Sequence, residues 1–488
     1  MDVFTHRDWP FYKLDVEKSW GFIDIDNLNK IKIAFLDTGC NIEHPYLKKL
    51  NITCINSLGN IVKGDMLGHG TFFSGILGQY ININGKANPN IISIQLGNNG
   101  QISIEDICNG INKAIELNVD VLNISACNLS YNPKIAKLIA NAIRKRIIVI
   151  SPSGNNLIEE FTYPASLDTV ISCASINSNL TLANHSNFNE LINVCAPGEN
   201  LTGPMDRLHS NKLNLNIDSN GLTKTSGTSF AAAIVTALAA LVKSKHKDID
   251  KSHFDVLLKN ALKQECYIRT SNGNLIRKKI VNFYEVLKWI VKNEIEDEII
   301  HQKNSLYWYI TNFKDSNIKG VWNAQIYDAF GNKINNIKGK VKITLYKFNK
   351  EKDNDKKLVI EEYIENGSIN WSLNYNIPGT YYLTIIDDKC RVIKGIAFGN
   401  IYPPQPKLKF IKKEENYIKV DFNCDFKNET LYYSFNEDII DIDTKKECGN
   451  GTYIYNGTIK APLDIKKINA VIFSNELFSD ICTFNISD

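Results

Sequence analysis

Apolar residues over the first 293 positions follow two alternating rhythms. The runs KIAFLD, NIISIQL, VDVLNIS, RIIVISP and TVISCAS are apolar at almost every position, as strands covered on both faces of a parallel sheet are. Between them the spacing lengthens. SIEDICNGINKAIELN places Ile104, Ile107, Ile111, Ala114 and Ile115 on one stripe, and NPKIAKLIANAIRKR repeats the device, so both predict amphipathic helices. Strand and helix in alternation predict an α/β domain with a mostly parallel sheet over residues 31–293. SFAAAIVTALAALV, residues 229–242, is apolar nearly all round. It is shorter than the roughly 20 residues a bilayer crossing needs and reads as a buried helix.

After the helical pattern NFYEVLKWIVKNE the rhythm changes to period two. GVWNAQIYDAFGNKI and PGTYYLTIIDD alternate polar with apolar or aromatic residues between Gly, Pro and Asn turn signals, as in a β-sandwich. YPPQPK reads as an extended linker. The expected organisation is an α/β domain over residues 1–295, a β-sandwich-like domain over 296–402 and a second β-rich domain over 403–488. A chain of 488 residues suits several domains.

Composition removes some classes of function. Lys and Arg total 56 against 53 Asp and Glu, so no electrostatic footprint for nucleic acid or an anionic membrane is visible. The eleven cysteines include no CxxC pair and no histidine partner at metal spacing, so free thiols in a reducing compartment are expected. A bridge among Cys424, Cys448 and Cys482 stays open as the alternative. The start, MDVFTHRDWPFYKLDVEKSW, lacks a basic n-region and an apolar h-region. A cytoplasmic location is expected, or secretion if the chain is a processed mature form. No cofactor and no metal are expected.

Three segments carry chemistry at strand ends and helix starts. Asp37 ends IKIAFLDTG, His69 lies in GHGTFFSGIL, and Ser229 lies in TSGTSFAAA at the mouth of the apolar helix. A carboxylate at a strand end can fix an imidazole tautomer and stabilise the imidazolium that forms in proton transfer. A serine at a helix N-terminus has an exposed hydroxyl and a free backbone N–H, at the end of the dipole that favours an oxyanion. Asn155, in VISPSGNN, is the candidate for a second donor, with Gly154 allowing a sharp turn before it.

Asp, then His, then Ser, in LDTG, GHGT and SGTS with SGN between the last two, resembles the subtilisin family over residues 8–294. The resemblance implies a subtilisin-like three-layer α/β fold with a mostly parallel sheet, followed here by the two β-sandwich-like domains. It also implies a serine endopeptidase in which Asp37 orients His69, His69 acts as general base and then acid, Ser229 is the nucleophile, and Asn155 with the Ser229 amide binds the oxyanion. The implied partner is a peptide or protein substrate. It would lie as an extended strand between one edge near Leu96, Gly97 and Gly100 and another at Ser125, Ala126 and Cys127. Pro152, Ser153 and Gly154 would wall the first pocket, and Thr162 would make its floor shallow.

The chain departs from the family pattern at several positions. Phe72 stands where a second histidine is common, and Phe230 with Ala231, Ala232 and Ala233 replaces the usual Met-Ala-x-Pro. Tyr46 stands where an aspartate often binds calcium, so no calcium is expected there. No room for the family's prodomain is visible, so either it has been removed or the enzyme folds without it. These departures favour a selective processing protease. A peptide transpeptidase or macrocyclase on the same acyl-enzyme, or a binding protein acting through its β-modules, are the alternatives.

Overall fold

The computed structural model describes residues 8–97, 101–127, 130–270, 273–293, 305–311, 320–347, 356–373, 379–389, 391–401, 405–423, 430–435, 452–474, 477–479 and 481–486. The apolar runs form strands β1 (Lys32–Asp37), β3 (Asn90–Gln95), β4 (Val121–Ile124), β5 (Ile148–Pro152) and β6 (Ile171–Ile176). With β2 (Ile52–Asn56), β7 (Val194–Pro197), β8 (Glu265–Arg269) and β9 (Leu275–Ile280) they make a nine-stranded sheet, ordered β8-β9-β7-β6-β5-β4-β1-β3-β2. Every recorded pairing in it is parallel except that of the edge strand β8 with β9.

Helices cover both faces, which gives the three-layer α/β arrangement expected from the sequence. On one side α1 (His69–Ile81) and α4 (Thr228–Lys245) share a core that includes Phe35, Phe73, Ile150 and Leu238. On the other, α2 (Ile104–Glu116) and α3 (Pro133–Arg144) cover Leu36, Ile94, Leu122 and Val149. Ser103 caps α2 through a reciprocal pair with Asp106, and Asn132 caps α3 by accepting from Lys134 and Ile135 N–H. Both helices therefore begin where the sequence offers a cap. Helix α4, 18 residues long, is long and apolar enough to cross a membrane, but 94% of it is buried inside the protein, as a core helix is.

Strand order reverses next to β1, which has the later strands β3 and β4 on its two sides. A crevice opens at the carboxyl ends of strands at such a point. Asp37 is the last residue of β1 and Pro152 the last of β5. Sheet topology thus places the Asp37 and Asn155 segments at one edge.

The chain divides into two compact units, and the division is not a single cut. One unit holds Met1–Tyr309, Ile326–Ile334 and Arg391–Lys394; the other holds the remaining residues. In the first, Tyr307 is fully buried, stacks on Tyr131 (5.1 Å between ring centroids, 5° between planes) and meets Tyr163 edge-on at 5.8 Å. Its hydroxyl donates to Ser166 O and accepts from Asp168 N–H, both at 3.1 Å. Ser305 donates to the Asp168 carboxylate, and Lys394 pairs with Glu160 at 3.1 Å. Segments far along the chain therefore pin the loop over residues 160–168, which contains Thr162.

The second unit is antiparallel. Gly339–Lys347 pairs with Lys356–Ile364 on one side and Gly379–Asp387 on the other, and Gly395–Ile401 extends the sheet. Trp322 and Trp371 stack at 5.6 Å. Further on, Lys407–Lys413 pairs with Ile418–Asn423, and Thr430–Phe435 pairs with Lys467–Ser474, around Val420, Leu431 and Ile472. Cys424 and Cys448 lie outside the described residues.

Candidate active site

Asp37 is buried at the end of β1, its carboxylate accepting from Thr38 N–H at 2.7 Å. His69 Nδ1 lies 2.7 Å from Asp37 Oδ1 and 2.9 Å from Oδ2. This bond fixes the ring with Nε2 away from the carboxylate. Close packing at the start of α1 makes the approach possible: a Cβ on Gly70 would lie 2.0 Å from Gly39 O. A half-buried carboxylate, Asp65, organises the same turn. Its Oδ1 accepts from Leu67 and Gly68 N–H and from the Thr38 hydroxyl, and its Oδ2 accepts from the backbone N–H and the hydroxyl of Thr71. A negative charge at a helix N-terminus is favoured by the unpaired amides there.

About a third of the His69 side chain (34%) stays exposed to the cleft. Burial by itself would lower the imidazole's basicity. The charge and hydrogen bond of Asp37, with the Asp65 charge behind them, outweigh burial and hold the His69 pKa above its ordinary value. Phe230 lies beside the ring, its centroid 5.2 Å from that of His69, and Phe72 packs on Phe230 at 4.4 Å. Two of the residues that depart from the family pattern, Phe72 and Phe230, thus form one aromatic pair beside the imidazole.

Ser229 is the second residue of α4, 4% exposed, where a helix leaves its amides without internal acceptors. Asn155 approaches from the turn after β5. Its Oδ1 accepts from Thr228 N–H at 2.8 Å and from the Thr228 hydroxyl at 2.9 Å. With the oxygen so held, the Asn155 amide can offer only its N–H groups to a ligand. Among the described residues no hydrogen bond joins His69 to Ser229; such contacts are often long before substrate binds.

Ser229, Asn155, Ser125, Cys127, Pro152, Gly154 and Thr162 line one cavity of about 240 Å³, together with Asn156, Asn187 and Thr228. The Thr162 hydroxyl donates to Ser153 O at 2.7 Å. Ser153 is buried behind the wall, its hydroxyl donating to Asn187 O, and Ala126 packs against the second core. Leu96 is a core residue with no exposed side chain, and its N–H donates to Asp37 O. Gly97 sits in a tight left-handed turn (φ 67°), and Gly100 lies outside the described residues.

Three residues around the site were not singled out from the sequence. Thr228 sits inside the quoted SGTS, and Asp65 lies four residues before His69, where a carboxylate ahead of a helix start is a readable capping signal. Asn187 carries no comparable mark.

The profile of the Subtilase family matches residues 29–283. The major intracellular serine protease of Bacillus subtilis (strain 168) is 32% identical over 234 residues, which is 45% of this chain and 70% of that protein. An intracellular serine protease of Paenibacillus polymyxa is 29% identical over 229 residues, 44% of this chain and 66% of that protein. Subtilisin DY of Bacillus licheniformis is 27% identical over 252 residues, 50% of this chain and 86% of that protein. The family match ends ahead of the β-rich region.

Proposed function

The chain belongs to the subtilase family and is a subtilisin-like serine endopeptidase, and from that premise we propose that Asp37, His69 and Ser229 are its catalytic triad and Asn155 the side-chain half of its oxyanion hole. The observation that carries this reading is the 2.7 Å contact of His69 Nδ1 with Asp37, with the imidazole beside the residue that follows Ser229. In this reading His69 Nε2 takes the Ser229 hydroxyl proton as Oγ attacks the substrate carbonyl carbon. Asp37 stabilises the imidazolium without taking its proton. The oxyanion is held by the Ser229 N–H and Asn155 Nδ2, in a site already oriented by Thr228. The imidazolium returns the proton to the leaving amine, and water then resolves the acyl-enzyme by the same steps in reverse order.

A selective processing role in a reducing compartment is the finer part of the proposal. Two of the relatives carry "intracellular" in their names, and Cys40, Cys54, Cys108, Cys173, Cys195 and Cys266 are buried free thiols. Selectivity finds support in a small polar pocket and in the loop behind it, held by Tyr307 and Lys394. The partner is a peptide or protein substrate. A fluorophosphonate, which reacts with an activated serine, tests the assignment on wild type and Ser229→Ala.

A further inference from the structure

Asn187 is fully buried, yet only half of its side-chain amide is in use. Oδ1 accepts from Asn156 N–H at 2.8 Å and Ile158 N–H at 3.3 Å, while the residue's own N–H donates to Gly154 O at 2.9 Å. Two backbone donors on one atom fix which end of the amide is oxygen. Among the described residues Nδ2 has no hydrogen-bond partner. It lies against Gly154, where a Cβ would come within 2.5 Å of it, so glycine at 154 opens the space the amide occupies. Asn187 lines the same cavity as Ser229 and Asn155.

Three other polar side chains around that cavity already donate elsewhere. Thr162 donates to Ser153 O, Ser125 donates to Asn123 Oδ1, and the Cys127 thiol donates to Pro152 O. Among the described residues no Lys, Arg, Asp or Glu lines it. Glu160, a carboxylate close by in sequence, is paired with Lys394. A buried N–H pair without an acceptor is costly, and few such groups persist in a native structure without a reason.

Resting on the assignment of Ser229 as nucleophile, we propose that this cavity receives the P1 side chain of the substrate and that Asn187 Nδ2 selects an uncharged side-chain amide there, asparagine or glutamine. The carbonyl oxygen of the P1 side-chain amide accepts from Nδ2. The P1 amide N–H groups find lone pairs on Thr162 Oγ1 and Ser125 Oγ, both of which donate elsewhere and can still accept. An apolar P1 residue leaves Nδ2 unpaired. A carboxylate loses its hydration with no cation to replace it, and a lysine meets no anion.

Internally quenched peptides that differ only at P1 (Asn, Gln, Asp, Leu or Lys), with the cleavage site read by mass spectrometry, test the proposal. The better of the Asn and Gln peptides is expected to exceed Leu in kcat/KM by about tenfold or more, since a site built to hydrogen-bond rejects analogues that lack the group. Asp and Lys are expected below both. Asn187→Asp keeps an oxygen for the Asn156 and Ile158 N–H groups and puts an acceptor in place of the donor. Checked for folding by its melting transition, this variant should lose the amide-over-Leu preference. Wild-type enzyme that is labelled at Ser229 by a fluorophosphonate yet cleaves Leu as well as Asn and Gln overturns the proposal and leaves the protease assignment standing; this holds even if the variant does not fold. Folded wild type that is neither labelled nor active on any peptide overturns both.

Discussion

Thr228 holds the oxygen of Asn155 with two donors at once, its backbone N–H at 2.8 Å and its hydroxyl at 2.9 Å, and the same hydroxyl accepts from Gly154 N–H. In the proposed assignment the residue ahead of the nucleophile therefore aims the oxyanion donor. Asn155→Gly is expected to lower kcat by about 10²–10³, a range carried over from subtilisin itself. Thr228→Val keeps the backbone donor and removes the hydroxyl. It is expected to lower kcat by a smaller factor, on the order of tenfold, with KM nearly unchanged, because the bond at stake matters most in the transition state. Steady-state kinetics on one good peptide check both. A Thr228→Val enzyme with wild-type kcat removes Thr228 from the mechanism.

With His69 as the proposed base, the acid side of the pH profile is expected to report its imidazole. Asp37 and Asp65 raise its pKa, so the imidazole stays protonated to a higher pH than an ordinary histidine and cannot act as a base there. Activity is expected to fall, as pH drops, through a midpoint above about 6.5, the unperturbed histidine value. Asp65→Asn removes one of the two charges and should move that midpoint to lower pH. Measuring kcat/KM against pH for the two proteins decides the sign; a shift to higher pH contradicts the electrostatic account.

Tyr307 belongs energetically to the catalytic unit. Tyr307→Phe leaves Asp168 N–H without its acceptor and should cost about 1–3 kcal/mol of unfolding free energy. Tyr307→Ala also removes a fully buried ring stacked on Tyr131 and should cost about 3–5 kcal/mol. Urea unfolding of the isolated variants measures both. A change within about 0.5 kcal/mol for Tyr307→Ala, typical of a surface site, contradicts that placement.

What the sequence revealed follows from locality. The parallel strands and the helices were legible because burial on both faces or along one stripe writes itself into consecutive residues. Asp37, His69, Ser229 and Asn155 stood out because each sits at an element end in a short, recognisable segment. Thr228 and Asn187 act through bonds to residues 73 and 31 positions away, and no local pattern reports such a pairing. The burial of Leu96 is hidden from the sequence for a related reason. It follows directly on β3, and only the packed structure shows that its side chain joins the core. Period-two alternation disclosed the β-rich region, but Tyr307 looks like any other inward strand residue until Tyr131 and Tyr163 are beside it.

The central claim is that Ser229 is an activated nucleophile. A fluorophosphonate offered to the native protein, with the modified residue located by mass spectrometry, measures this directly. The account predicts one adduct, on Ser229, that is absent from Ser229→Ala, absent after denaturation, and formed much more slowly when His69 is changed to alanine. Native, folded protein that remains unlabelled, or that is labelled equally fast in His69→Ala, would contradict it.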